Sequence, residues 1–418
     1  MEYIKKAKGN LSAQDGIQEV VAAILEQVKS EGDRALLELT ERYDGVRLTS
    51  LKVPREETEK AYQQVPHETV ENLKFAAEQI RFFALQQLSC LKPLECQNIP
   101  GVTLGHRLIP VPSCGAYVPA GRYPLPSTAL MSIIPAKVAG VRRVSACSPP
   151  TRAYSGIHPV VLVAMDIAGA DEVYCMGGAQ AIAAYAYGTA SVSPVDMIVG
   201  PGNRFVTEAK RQVSGQVGID MLAGPSEVLI IADDSASPRY VAVDLLAKCE
   251  HDPASVAILV TTSRGLAEKV EDMIREELQT LGTAELAAKT WEENGQIILV
   301  DSLEEAAEVS DRIAPEHLQL QTCNNEMLVS SLHNYGSLFI GDYAPVAFGD
   351  YVSGTNHTLP TMGCARFTNG VWVGTFLKVA SYQRVTREGA AALAGPCSHL
   401  AGVEGLLAHQ RAAELRKH

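Results

Sequence analysis

The stretch Glu172-Val173-Tyr174-Cys175-Met176-Gly177-Gly178-Ala179-Gln180 decides how the whole chain is read. A short β-favouring run stops at two glycines, and a helical pattern starts at once. Strand, tight turn and helix form the unit from which parallel sheets are built. Such a turn can also bring backbone N–H groups against a pyrophosphate at the helix N-terminus. Taken alone, a purely structural turn is the commoner outcome.

Working outward, the unit repeats. Short apolar runs at 143–147, 172–175, 197–199, 228–232, 256–261, 297–300 and 337–340 are expected strands, with helical patterns between them. This alternation implies α/β architecture, with parallel sheets covered by helices on both faces. The spacing suggests one sheet before Ser226 and a second after it. Residue identities do not repeat, only the architecture.

Upstream, Ile17, Val20, Val21, Ile24 and Val28 mark one buried helix face. Gly32 should break that helix, Asp33 should cap a second, and Asp44-Gly45 should end it. A further helix is expected over 71–85. Between Gly341 and Gly374 the rhythm stops. The aromatic and apolar residues there predict an ordered, functional segment. A terminal helix is expected over 402–417.

A length of 418 residues suggests roughly two to four structural units. The net charge of −12, with no dominant basic patch, argues against a nucleic-acid partner. No run reaches the ~18 apolar residues of a membrane helix. Met1-Glu2-Tyr3-Ile4-Lys5-Lys6 has no apolar stretch after it, so no secretory signal is expected. The nine cysteines, an odd number without a CxxC pair, read as reduced thiols of a cytoplasmic protein.

Several groups could carry chemistry. Pro315-Glu316-His317 sets a carboxylate beside an imidazole on an expected loop, a pairing suited to proton transfer near neutral pH. Glu250, His251, Asp350, His357 and His409 are histidine and carboxylate groups of the kind that hold zinc. Glu404 precedes His409 by five residues, so the two need not share a helix face. No GxGxxG fingerprint occurs. Gly200-Pro201-Gly202-Asn203 begins like one, but Phe205 stands at the last glycine position. In the loop from Gly115 to Arg122, Tyr117 could stack on a base, although a structural turn is the simpler reading.

Together these segments resemble the histidinol dehydrogenase family. The resemblance runs from Gly32-Asp33-Arg34-Ala35-Leu36 to Gly405-Leu406-Leu407-Ala408-His409. Its most specific pieces are Tyr117-Val118-Pro119, Pro124-Leu125-Pro126-Ser127-Thr128, Gly177-Gly178-Ala179-Gln180, Gly200-Pro201-Gly202-Asn203, Ala223-Gly224-Pro225-Ser226-Glu227, Ala314-Pro315-Glu316-His317-Leu318, and Gly349-Asp350-Tyr351 through Asn356-His357.

The resemblance implies two incomplete Rossmann-like, doubly wound domains with small helical N- and C-terminal parts. The larger domain would cover 20–115 and 227–363, and the NAD-binding domain 116–226. Segments 1–19 and 364–418 would serve a homodimer contact. It also implies NAD contacts at Tyr117, Gln180 and Asn203, and an acid–base pair at Glu316 and His317. Substrate groups would be Ser226, His251, His317, Asp350, His357, Glu404 and His409, with zinc on His251, Asp350 and His409. His409 would serve the neighbouring subunit. The reaction implied is oxidation of a small polar alcohol to an aldehyde and then to an acid, using NAD twice. His317 would act as base, Glu316 would help water attack the aldehyde, and zinc would orient the substrate.

Two departures stand out. The family's fourth zinc ligand is a glutamine, and here that position holds Lys248. An ammonium has donors but no lone pair, so the zinc site is weakened. Lys248 could instead face an anionic substrate group. The stretch 365–374 is similar to sulfopropanediol dehydrogenases, a related branch, so another small polar alcohol competes with histidinol; Lys248 leaves a catalytically silent binding or regulatory paralogue as a further alternative.

Overall fold

The computed structural model describes residues 1–8, 16–120 and 123–417; Gly121 and Arg122 of the glycine-rich loop lie outside the described residues. Strand β1 (Glu2–Lys5) is followed by helices Ile17–Glu31, Asp33–Asp44, Arg55–Gln64 and His67–Cys90. The first helix buries Val21, Ile24, Leu25 and Val28, the face its periodicity marks. Gly32 separates it from the second, but Asp33 caps nothing. Its carboxylate accepts instead from the backbone N–H and hydroxyl of Ser191. The fourth helix outruns the expected 71–85, because no glycine or proline interrupts the pattern before Pro93.

A hairpin, β2 (Leu94–Ile99) and β3 (Val102–Pro110), leads into β4 (Ser113–Tyr117). Strands β5 (Arg143–Ser148), β6 (Glu172–Cys175), β7 (Met197–Val199) and β8 (Gly218–Ile219) complete the first parallel sheet, ordered β6-β5-β4-β7-β8. The second sheet consists of β9 (Glu227–Ala232), β10 (Val256–Thr261), β11 (Gln296–Leu299), β12 (His317–Gln321) and β13 (Ser337–Ile340). Its order is β1-β11-β10-β9-β12-β13, with β1 the antiparallel edge.

The two sheets share one winding. In each the first strand after the crossover sits centrally, two strands follow on one side, and the chain then returns to the other. A switch point therefore lies between β4 and β7 and another between β9 and β12. In open parallel sheets the crevice at such a point is where ligands gather.

Two central strands were not among the expected runs. β4, Ser-Cys-Gly-Ala-Tyr, is small-residued because a helix packs tightly on it. A Cβ at Gly115 would lie 2.7 Å from the Tyr185 ring. β12, His-Leu-Gln-Leu-Gln, alternates polar and apolar residues, yet all five are buried. Gln319 and Gln321 can be inside because both donate to Asp244, at 2.8 and 3.1 Å.

Strand β14 (Leu377–Val385) pairs antiparallel along the length of β3, so the tail is tied to the first half of the chain by a sheet as well as helices. The expected terminal helix proves to be two, Arg387–Val403 and Leu407–Glu414, separated at Gly405 (φ 75°). The segment after Gly341 contains the short helix Val346–Tyr351. Among the described residues no helix is long and apolar enough to cross a membrane.

Candidate active site

At the carboxyl edge of the first sheet, three loops converge on the β4/β7 switch point. Gly178, at φ 65°, donates its backbone N–H to the Tyr117 hydroxyl at 3.2 Å. Gly177 must lack a side chain, since a Cβ there would sit 2.4 Å from the Pro149 ring. Tyr117 and Gln180 are both buried, so Tyr117 supports the turn from beneath rather than offering an open ring face. Asn203 is exposed, and its side-chain oxygen caps the helix Arg204–Val213 by accepting from Phe205 and Val206 N–H.

Gly200 is held at both ends by an arrangement the sequence did not suggest. Its N–H donates to Asp220 at 2.8 Å, and its carbonyl accepts from Lys210 at 2.9 Å. Lys210 and Asp220 themselves form a buried ion pair. A Cβ at Gly200 would meet the Tyr117 carbonyl at 2.1 Å, so this backbone runs directly against the end of β4. The edge thus offers a helix N-terminus and a rigid glycine loop, the elements that accept a pyrophosphate.

The second group lies at the amino edge of the second sheet. His317 is the first residue of β12, in register with Val228 of β9, and not on a loop. The preceding helix ends at Ala314 in the left-handed region (φ 52°), which swings Glu316 and His317 back under the sheet. Glu316 accepts from the Ser226 hydroxyl at 2.6 Å and the Glu227 N–H at 2.8 Å. His317 Nδ1 lies 3.0 Å from the Glu227 carbonyl and 3.2 Å from Glu316. Its Nε2 is buried without a hydrogen-bond partner, 3.3 Å from Asp350 but outside bonding alignment. The imidazole is therefore fixed through Nδ1 and leaves Nε2 for a reacting group.

Lys248 enters from the last turn of the helix Pro238–Cys249, which runs back to this same edge. Its ammonium donates to Ser226 Oγ at 3.1 Å and stands 3.9 Å from Asp350 Oδ2. His357 Nδ1 lies 2.9 Å from the Asp350 carbonyl, and its Nε2 lies 3.3 Å from Thr128 of the helix Pro126–Ala139. Ser226, Lys248, Glu316, His317, Asp350 and His357 thus form one connected cluster.

Charges in the cluster set one another. Burial and Lys248 push His317 down, but Glu316 and Asp350 outweigh both and hold it up at about 9. Burial would raise Asp350, yet Lys248 and His317 keep it far below the usual carboxylate range. Glu316 is lowered too, His317 overcoming its burial. Burial lowers His357. Burial also lifts Glu227 to about 7, against the Met362 N–H it accepts at 2.7 Å. Glu227 belongs to the quoted motif at 223–227 but carried no expectation; its place at a strand start was the available signal.

Other expected groups make no side-chain hydrogen bond to the cluster. Glu250 turns away to the Thr283 hydroxyl. His251 is exposed at the rim, although crowding by protein, followed by Lys248, holds it down at about 4. Glu404 and His409 are exposed on the tail. The expected zinc ligands His251, Asp350 and His409 are therefore not assembled within one chain. Among the described residues no group of three or more histidine, cysteine or carboxylate side chains could hold a metal. The donor set does not fit a dication, because the Lys248 ammonium borders Asp350. At ~4 Å and an effective dielectric near 20, a unit and a double positive charge repel by roughly 8 kcal/mol.

Comparison with known proteins places the chain in a family. The family model described as Histidinol dehydrogenase matches residues 7–417. A "Histidinol dehydrogenase homolog" from Shouchella clausii is 47% identical, over 99% of this chain and 98% of that protein. A "Histidinol dehydrogenase" from Methanothermobacter thermautotrophicus is 46% identical, over 98% of this chain and 94% of that protein. The crystal structure of histidinol dehydrogenase from Elizabethkingia anophelis superposes with a TM-score of 0.93 at 36% identity, covering 98% of this chain and 94% of that one. The chain is thus an α/β oxidoreductase of the class that acts on a CH–OH group with NAD as acceptor. More narrowly, the chain belongs to the histidinol dehydrogenase family.

Proposed function

We propose that this chain oxidises a small polar alcohol through the aldehyde to the acid, with L-histidinol the leading substrate. The observation that carries the reading is the buried Glu316–His317 pair, with Nδ1 locked to Glu227 and Nε2 facing Asp350 at 3.3 Å without an aligned hydrogen bond. Tyr117, Gln180 and the Gly200–Asn203 loop, at the carboxyl edge of the first sheet, would hold NAD, which would supply the hydride acceptor for each oxidation. The hydroxyl proton goes to His317 Nε2 once that nitrogen has released its own. Glu316, aligned by Ser226, then helps a water attack the aldehyde. Proton transfer by a positioned side chain contributes about 10²–10⁴-fold. Asp350 and His357 position the substrate, and no step is routed through a metal.

The tail completes the site of a second copy. Leu400, Val403, Leu407 and Leu415 are exposed beside Glu404 and His409, so burying this face against a partner would carry both groups into the partner's cluster. The test of the function is NAD reduction by the purified protein with a panel of small alcohols. Two NADH per L-histidinol, with the carboxylate as product, is the expected result. Absence of NAD reduction with every alcohol would refute the reading.

A further inference from the structure

The cluster around Asp350 contains a cation of its own. Lys248 is 3% exposed, and its stem leaves the last turn of a helix whose neighbouring residues Leu245, Leu246 and Cys249 are buried. Packing therefore aims the ammonium inward. Of its three N–H groups, one donates to Ser226 Oγ at 3.1 Å. Asp350, at 3.9 Å, is too distant for a hydrogen bond but close enough to neutralise it. N–H groups thus remain for a ligand beside Nε2 of His317, which has no aligned hydrogen bond of its own.

We propose that Lys248 is the resident cation of this site, takes the position of a divalent metal, and holds the substrate oxygen that is oxidised. The inference rests on the dehydrogenase reading above. When the substrate C–H bond breaks, its electron pair leaves as hydride to the nicotinamide. The O–H proton passes to the Glu316–His317 pair, and the C–O bond becomes C=O. Lys248 keeps its protons and carries no electrons; its hydrogen bond offsets negative charge as it grows on the oxygen. Ser226 ties the two halves together, since it receives from Lys248 and donates to Glu316. The ligand class is therefore a primary alcohol whose oxygen meets an ammonium, in an enzyme that works without zinc.

The test uses the full chain as purified. Zinc is titrated calorimetrically into the wild type, Lys248→Gln and Lys248→Met, and each protein's metal content is measured after purification without chelator. Thermal melts check that the variants fold. The expected wild type carries far less than one zinc per subunit, and its NAD reduction survives chelation. Lys248→Gln, which regains an oxygen donor, should bind zinc at least about tenfold more tightly than wild type. Lys248→Met, which removes the ammonium and supplies only a weak thioether donor, should bind zinc more tightly than wild type but less tightly than Lys248→Gln, and should lose turnover. One zinc per subunit in the wild type, with activity lost on chelation and restored by zinc, would overturn the proposal. The zinc titration needs no substrate, so an alcohol panel that fails would refute the dehydrogenase reading and leave the zinc result standing.

Discussion

Replacing Lys210 with methionine tests whether the glycine loop at the nucleotide edge is held electrostatically. Lys210 and Asp220 side chains are 3% and 0% exposed, so neither charge has water to fall back on. Removing one partner of a buried pair typically costs 3–5 kcal/mol. Asp220 keeps two backbone donors, Gly200 at 2.8 Å and Met221 at 2.7 Å, which places Lys210→Met near the lower end, about 3 kcal/mol. The Gly200 carbonyl loses its donor as well. Two readouts follow. The urea midpoint should fall by the amount that loss implies, and NAD affinity should weaken, because Gly200 abuts the end of β4. The double variant Lys210→Met/Asp220→Asn should recover part of the stability, since no unpaired charge stays buried, but not the NAD affinity. A single variant that loses under ~1 kcal/mol and binds NAD normally would refute the clamp.

Burial lifts Asp244 from 3.8 to about 6 in the fold, so the native chain binds this proton more tightly than the unfolded chain does. Its contribution is therefore favourable at low pH and is lost as pH rises through that interval. Asp244→Asn should raise stability at neutral pH, with the gain vanishing near pH 3.8 in parallel urea titrations. A gain independent of pH would contradict the assignment. His317→Asn should depress turnover by orders of magnitude with NAD affinity intact, and unchanged turnover would remove His317 from the chemistry. Mixing His317→Ala with His409→Ala chains should restore activity in exchanged dimers, each of which regains one intact site. Proven exchange without recovery would place His409 outside the partner's site.

The strand–helix rhythm was legible because apolar runs such as 228–232 and 256–261 are buried on both faces and leave no polar residue to blur them. β12 was hidden because its two glutamine amide groups donate to Asp244, a partner on a helix more than seventy positions earlier. β14 and β2 were hidden because their sheet is largely exposed. The Glu316–His317 pair could be singled out from adjacency, but its elevated imidazole could not. That property needs Asp350, distant in the chain, to add to Glu316 against the opposing effects of burial and Lys248.

By itself the sequence determined the α/β class, the family and the identity of the groups that could do chemistry, since periodicity, glycine placement and motif order are local properties. The tertiary structure alone decided which groups meet. It set Lys248 between Ser226 and Asp350, turned Glu250 away, left His251 at the rim, and kept Glu404 and His409 on an exposed tail. The physical reason is that contact and charge coupling act over a few ångströms of space, whatever the separation along the chain. Neither the order of residues nor their type states which buried charge will neighbour which.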